Sequence, residues 1–549
     1  MNIDTKPIRI GCASAFWGDT ETAAQQLIDH GQLDYLVFDY LAEITMAIMA
    51  GQKRKNPEAG FAHDFIHPVI APLLTKIKAQ NIKVISNAGG INPHACAQAL
   101  AVEAKKQHID LKIAVVDGDS LSHKQADYQE IALTEMFSGA KIPEKTLSAN
   151  AYLGVDAIVK ALRENADIII TGRIVDSAVV VAPLVYQFNW SMTDYDKLAQ
   201  ASLAGHIIEC GTHCTGGNFT DWHMVKSDYA QMGFPIIEVQ ANSDFTVTKA
   251  ANTGGLVSCA TVAEQVVYEI GDPQHYLLPD VSCDFSQVTL SQIDNNLVAV
   301  SGATGNAPSN YYKASFTYLD GYKCSASFLI AGYDAKAKAV AVSDAIIAKT
   351  SQLFIQKDIE PYQEVNIELL GTNATYNDQF FSKEKHQLAQ LSREVVVKIT
   401  VAHHNKKALL LFSREIAQAA TAMAPGITGL LGGRPTITPK IALFSALVNK
   451  DDCQPQVTID EQSWPVSITT THQVTVKSKV TEQPLPISEP LTAQLPLIKL
   501  AWARSGDKGD HSNIGVIARQ ESYLKYIEAS LTDDAVAEYF SHILTTNSQ

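Results

Sequence analysis

Ile82-Lys83-Val84-Ile85-Ser86-Asn87-Ala88-Gly89-Gly90-Ile91-Asn92-Pro93 is the stretch that decides the fold class. Residues 82–86 are a short apolar run of strand length. Asn87 to Ile91 is a turn of small residues. Asn92 then suits a helix N-cap, and Pro93 suits the first helical position, where its fixed φ helps and its missing N–H costs nothing.

The same unit recurs on both sides. Residues 8–12 form an apolar strand followed by the loop 13–19 and a helix over 21–30, with Gly31 where a C-terminal cap belongs. Residues 33–39 form a strand ending in Asp39-Tyr40-Leu41-Ala42-Glu43. A charged insertion, 53–60, precedes a helix over 64–80. Residues 111–116 end in Asp117-Gly118-Asp119-Ser120, and 167–171 end in Gly172-Arg173, with Asp176 or Ser177 opening the next helix. Near-continuous apolar strands alternating with helices predict an α/β domain, a mostly parallel sheet covered by helices on both faces. An incomplete or modified barrel gives the same local signals. In open sheets of this kind ligands bind beyond the carboxyl ends of the strands, where every one of these polar loops lies.

Further along, the pattern changes. Residues 313–318 and 323–330 flank Asp320-Gly321, a hairpin signal. A helix over 335–354 follows, then strand-like runs at 365–370, 395–402 and 409–412. The expected organisation is an α/β domain over 1–281 and an α+β domain over 282–482. A linker over 483–496 then carries Pro484, Pro486, Pro490 and Pro496, and a small domain occupies 497–549. The last domain reads as a strand into Ala503, a loop over 504–513, an apolar run over 514–518 and two helical segments.

Composition narrows the class. The chain of 549 residues is 46% hydrophobic and 18% charged, the balance of an ordered globular protein. Its 43 Lys and Arg against 58 Asp and Glu give a net charge of −15, so no nucleic-acid partner is expected. No run of about 18 apolar residues suggests a membrane span. The polar start, residues 1–9, suggests no export signal. Eight scattered Cys then read as reduced thiols in a cytoplasmic protein.

The most chemically loaded stretch runs from Glu209 to His223, Glu-Cys-Gly-Thr-His-Cys-Thr-Gly-Gly-Asn-Phe-Thr-Asp-Trp-His. It has neither a helical nor a strand period and reads as a loop, either a solvated excursion or a site. Cys210, Cys214, His213 and His223 offer soft ligands for zinc, but no second Cys or His pair accompanies them, and the cysteines equally suit small buried positions. Carboxylates at Asp39, Asp117, Asp119, Glu209 and Asp221 would suit a hard cation.

Among the glycine-rich turns, Asn87-Ala88-Gly89-Gly90 before a capped helix either offers backbone N–H groups to an anion or is simply a tight turn needing small residues. Arg173 adds a guanidinium at the neighbouring strand end, to grip an anion or to pair with Asp176. Arg504-Ser505-Gly506-Asp507-Lys508-Gly509-Asp510-His511-Ser512-Asn513 concentrates two cations and two glycines, with the acids partly cancelling them. Gly433-Arg434-Pro435 is a weaker case of the same kind. Cys12, Ser14 and Ser505 sit near strand ends but lie in no nucleophile motif.

Taken together, these pieces resemble the acyclic terpene utilisation family, AtuA. The resemblance is carried by residues 13–19, 39–43, 87–93, 116–119, 150–154, 171–177, 209–211 with 215–222, 253–255 and 433–435, and by 503–519 for a fused C-terminal ferredoxin-like module. It implies a part in breaking down acyclic terpenoids or related branched-chain acyl compounds, whose intermediates are CoA thioesters. The expectation is an enzyme acting on an acyl-CoA as a lyase, hydratase or thioesterase. Acid–base work would fall to Asp39, Glu43, Asp119, Asp176, Glu209 or Asp221. Anion binding would fall to Asn87, Gly89, Gly90, Asn92, Arg173, Gly216, Gly217, Arg434, Arg504, Ser505, Lys508 and Asn513.

No bound metal and no cofactor of its own is expected; CoA would enter as part of the substrate. A homo-oligomer is expected. The rival expectations are a scaffold for the pathway's carboxylase and hydratase, and a metal-assisted hydrolase.

Overall fold

The computed structural model of the protein describes residues 6–376, 388–468, 493–508 and 511–544. The chain folds as two compact units. One takes in the chain to Tyr318 and later segments that begin at Leu443 and end at Leu524; the other begins at Leu319, runs to Ala442 and takes the chain from Lys525.

The first unit is built on β1 (Ile8–Cys12), β2 (Tyr35–Phe38), β3 (Lys83–Ser86), β4 (Ile113–Asp117), β5 (Ser148–Ala151) and β6 (Ile168–Thr171). Five of these form the parallel centre of a sheet in the order β1-β2-β3-β6-β4. Their residues alternate between two cores. Val37, Ile85 and Ile169 face one, beneath the helices Asp156–Arg163, Ala178–Phe188 and Tyr195–Glu209. Leu36, Phe38, Val84, Ile168 and Ile170 face the other, with Ala23–His30 and Pro93–Lys106. Each fully buried aliphatic or aromatic side chain contributes about 1.5–3 kcal/mol, so the two-sided burial expected from the apolar runs is what holds this centre together.

The sheet is not mostly parallel. β7 (Pro235–Val239) and β8 (Phe245–Lys249) extend it antiparallel beyond β1, followed by Leu297–Ser301 and Thr289–Asp294. Gln456–Ile459 and Gln462–Pro465 extend it antiparallel beyond β4. Within each edge hairpin the reason is connection length. A parallel pair needs a crossover of a dozen residues or so. These edge strands are joined by short turns instead, with Ser243, Asn296 and Asp460 at positive φ.

In the second unit, Glu364–Leu370, Glu394–His403 and Ile427–Leu431 share an antiparallel sheet with the later half of the strand Tyr311–Ala331. The helices Ala335–Gln356 and Lys406–Glu415 cover it through Val342, Ile346, Leu409 and Phe412. Two expectations fail here. Asp320-Gly321 makes no hairpin, because the halves of Tyr311–Ala331 have different partners: Ala314 to Thr317 pair with β5, and Tyr322 to Ala331 with Glu394–His403. Residues 409–412 are helical, because Leu409, Phe412 and Ile416 are buried on one face and Asn405 caps the helix start, its side chain accepting from Lys407 N at 2.9 Å.

Residues 504–513 are not a loop but most of a hairpin. Ala501–Lys508 pairs antiparallel with His511–Ala518, placing Arg504 opposite Gly515 and Ser505 opposite Ile514. The helices Glu521–Ser530 and Asp533–Phe540 follow, as expected. The polar residues hid a strand because neighbouring chain satisfies them: Asn513 donates to Val267 O and Ile270 O. The linker expected over 483–496 falls outside the described residues up to 492. Among the described residues no helix is long and apolar enough to cross a membrane.

Candidate active site

The carboxyl ends of β1, β2, β3, β4 and β6 carry Ser14, Asp39, Asn87, Asp119 and Arg173 to one rim. Glu209 reaches the same place as the last residue of the helix Tyr195–Glu209, not from a loop.

Arg173 is the centre. Its side chain is 4% exposed, yet the site holds several carboxylates. Nη1 donates to Leu41 O at 2.5 Å and lies 3.0 Å from Asp176 Oδ1, and the guanidinium stacks 4.1 Å from the Tyr152 ring centroid. Its own backbone N–H donates to Asp119 Oδ2 at 3.0 Å. Gly172 makes that contact possible, since a Cβ there would meet Asp119 Oδ1 at 2.5 Å. Asp119 also accepts from Asn150 Nδ2 at 2.7 Å, and burial pushes its pKa up to about 6. It is thus an anchor for the Arg173 turn as well as a carboxylate of the rim.

Asp39 is 7% exposed and accepts from Asn87 Nδ2 at 2.6 Å. Asn87 in turn accepts from Tyr40 N at 2.7 Å, which ties the end of β3 to the end of β2. Burial raises the Asp39 pKa well above the ordinary carboxylate range; Asp176 and Glu209 push it further, and Arg173 pulls against them. Burial likewise pushes Glu209 up to about 7, with His206 pulling part of the way back.

His206 Nε2 lies 2.9 Å from Gln265 O, and a carbonyl only accepts, so Nε2 carries a hydrogen. Nδ1, 3.1 Å from Glu209 Oε1, is then left to share a proton with the carboxyl group. Burial alone would lower the His206 pKa, but the Glu209 hydrogen bond leaves it raised. The two form a proton-holding pair inside the protein.

Beside Arg173 opens a narrow cleft lined by Glu43, Met46, Asn150, Tyr152 and Ser315. Tyr152 donates its hydroxyl to Glu43 Oε1 at 2.5 Å, and Lys313 Nζ lies 3.3 Å from the same oxygen. Asn150 Oδ1 is buried there without a hydrogen-bond partner among the described residues. The cleft therefore presents hydroxyls, a carboxylate, a cation and an open acceptor, next to carboxyl groups whose pKa values burial raises.

Sequence reasoning named Asp39, Glu43, Asp119, Asp176, Glu209 and Arg173, and the fold gathers all six. It missed Tyr152, Lys313 and His206. His206 had a signal, since it stands three residues before Glu209 and would share a helix face with it once that segment is read as a helix. Lys313 had none, and Tyr152 had only its place in the 150–154 piece of the resemblance; β5 pairing with residues 314–317 brings them together.

Other expected residues lie elsewhere. A Cβ on Gly89 would meet Thr171 O at 2.5 Å, and Gly90 has φ +52° against Met49, so both serve close packing of helix on sheet. Asn92 caps no helix with its side chain, which donates to Pro57 O and Ala59 O. Gly216 adopts φ +104°, and Gly217 lies tight on Thr212. Arg504 is buried, its Nη2 donating to Glu264 Oε2 at 2.9 Å and Gly217 O at 3.1 Å. Ser505 is exposed, and so is Arg434 in the second unit. The side chain of Lys508 lies outside the described residues.

Two of the Cys and His residues of the 209–223 stretch have roles of their own in the fold. Cys214 is fully buried and its thiol is pushed up to about 12. Burial lowers His213 to about 4, and its Nε2 accepts from Asn218 Nδ2 at 3.0 Å. Among the described residues no three His, Cys, Asp or Glu come together as a metal-holding group.

Asp221 stands apart from the rim cluster. Arg519 grips it with Nη1 at 2.7 Å and Nη2 at 2.8 Å, Trp502 Nε1 donates to it at 2.8 Å, and the Arg519 contact holds its pKa below the usual range. It fastens the C-terminal hairpin. Asp221→Ala is expected to cost about 1.5–3 kcal/mol, the range for hydrogen bonds to charged groups, and to make the hairpin the first point of cleavage in limited proteolysis. An unchanged cleavage pattern would remove that role.

The family described as "Acyclic terpene utilisation family protein AtuA" matches residues 8–459, and the one described as "AtuA ferredoxin-like domain" matches residues 495–549. No curated protein and no solved structure matches the chain.

Proposed function

Because the chain belongs to the acyclic terpene utilisation family AtuA, we propose that it is an enzyme of terpenoid breakdown. In this reading it performs acid–base chemistry on the CoA thioester of a branched or isoprenoid acid. One observation carries the reading: Asp39, 7% exposed, and Glu209, with its side chain 12% exposed, are carboxyl groups whose pKa values burial raises, Glu209 raises Asp39 further, and Arg173 faces Asp39 as a counter-charge. Like charges this close resist ionising together, so one carboxyl loses its proton while the other keeps it. That is the pairing a hydratase or lyase needs. The ionised group takes a proton from water as its oxygen adds to the β-carbon of an unsaturated thioester, and the protonated group delivers its proton to the α-carbon. Elimination is the same step reversed. Arg173, held by Leu41 O and Asp176, supplies positive charge beside the thioester oxygen as negative charge develops there.

The arrangement favours this over a non-catalytic scaffold, since a scaffold gains nothing from burying carboxyl groups whose pKa values are raised by that burial. The test is incubation of the purified full chain with a panel of saturated and α,β-unsaturated isoprenoid acyl-CoAs in deuterated water. Deuterium at the α-carbon of a recovered thioester is the expected result; neither exchange nor turnover across the panel would sink the proposal.

A further inference from the structure

We propose that one face of the helix Glu43–Lys55 is the track on which the CoA arm of the substrate lies; this rests on the acyl-thioester reading above. The helix begins at the cleft, where Glu43 and Met46 line the wall beside Arg173. Its packing face is made by Met46, Ala47 and Met49, all buried. The far side of the helix from Met46, reached around its first turn, is uncovered: Ile44 is 53% and Ile48 47% exposed. Ile44, Ile48, Gly51 and Lys55 are spaced by four, three and four residues, which puts them in one stripe.

Gly51 is the telling residue. Nothing lies within 4 Å of where its Cβ would be, so the protein's own packing does not require a glycine. A glycine inside a helix nevertheless costs about 1 kcal/mol against alanine. What it provides is a bare patch of backbone that a ligand can approach closely. The stripe ends at Lys55 with Arg54 beside it, both exposed and in no ion pair among the described residues.

From the cleft to these cations the helix runs about 18 Å at 1.5 Å per residue. Apolar side chains, then open backbone, then two cations match a thioester carrier with a pantetheine arm and phosphates at its far end. The phosphates would meet Arg54 and Lys55 as charge-assisted contacts. In a chain of net charge −15, an unpaired cation pair at the end of this stripe is a local reversal that favours a polyanion.

The experiment uses the full chain, the double variant Arg54→Glu/Lys55→Glu, the variant Gly51→Leu, and two substrates bearing one acyl group. One substrate is the CoA thioester, and the other is the N-acetylcysteamine thioester, which lacks the phosphates. The charge reversal is expected to raise KM for the CoA thioester about tenfold with kcat little changed, and to shift the truncated thioester by less than about twofold. Gly51→Leu keeps a helix-forming residue and is expected to raise KM for the CoA thioester without lowering the melting temperature.

Equal shifts for both thioesters, or none, overturn the track. So does a loss of self-association in Ile48→Arg with KM unmoved, which would make the face a subunit contact. Should the wild-type chain turn over neither thioester, the acyl-thioester reading falls. Calorimetry with free CoA then judges the track separately: binding that the double variant abolishes supports it, and no binding overturns it.

Discussion

Arg173→Met is expected to destabilise the first unit by about 3–5 kcal/mol, the cost of removing one partner from a buried charge cluster. The guanidinium is 4% exposed and is the cation that Asp39 and Asp176 face; Glu209 raises the Asp39 pKa further. Methionine fills similar space and keeps an apolar contact with the Tyr152 ring, so the loss is electrostatic and not a cavity. Leu41 O would also lose its donor. The penalty is expected to grow with pH, because without Arg173 each carboxyl must ionise against its neighbours unaided. A second substitution, Asp176→Asn, should recover part of the loss, since the two sites are in contact and their effects are not additive. Urea denaturation of the three variants at pH 5.5 and pH 8 measures this. A loss below about 1 kcal/mol, or one that does not depend on pH, contradicts the account of Arg173 as the counter-charge.

Glu209→Gln and Asp39→Asn should each lower turnover about 10²–10⁴-fold on whichever thioester the enzyme accepts, the usual contribution of a positioned general acid or base. Both replacements keep the size and the hydrogen bond while removing the proton to be transferred. The fold should therefore survive, and stability should respond in a way that a purely structural role would not produce.

In the folded chain the Glu209 pKa is raised from 4.5 to about 7. Below the unfolded value both states hold the proton, and its contribution is fully present. As pH rises, the unfolded chain releases its proton first, so stability falls until the folded group also ionises near pH 7. By 1.36 kcal/mol per unit this amounts to roughly 3 kcal/mol at most. In Glu209→Gln that slope between about pH 4.5 and 7 should disappear. A variant as active as the wild type, or one with the same pH dependence of stability, would exclude Glu209 as the proton carrier.

How far residues alone reach is visible in particular positions. The five parallel strands and the carboxyl-end rim were legible because an apolar run between a helix and a polar turn has few alternatives once both faces must be buried. Asp39, Asp119 and Arg173 follow from that rim. The antiparallel edges were not legible, because a strand's direction depends on whether its connection is a turn or a crossover, and apolar runs look alike in both cases. The strand Tyr311–Ala331 was misread at Asp320-Gly321 for a related reason. Gly321 carries a positive φ there, as it would in a turn, but each half of the strand pairs with a different neighbour.

The 209–223 stretch divides the same way. That Glu209 is placed for chemistry and Asp221 for fastening cannot be read from two carboxylates twelve positions apart in one polar segment. Their pKa shifts have opposite signs, raised at Glu209 by burial and lowered at Asp221 by Arg519, and both causes are contacts over long sequence distance. By itself the sequence determined the five parallel strands of the centre and which residue types stand at their carboxyl ends, since those follow from local pattern and backbone sterics. Only the tertiary structure decided which charges share a low-dielectric space, because ionisation there depends on solvent exclusion and on distances that chain order does not encode.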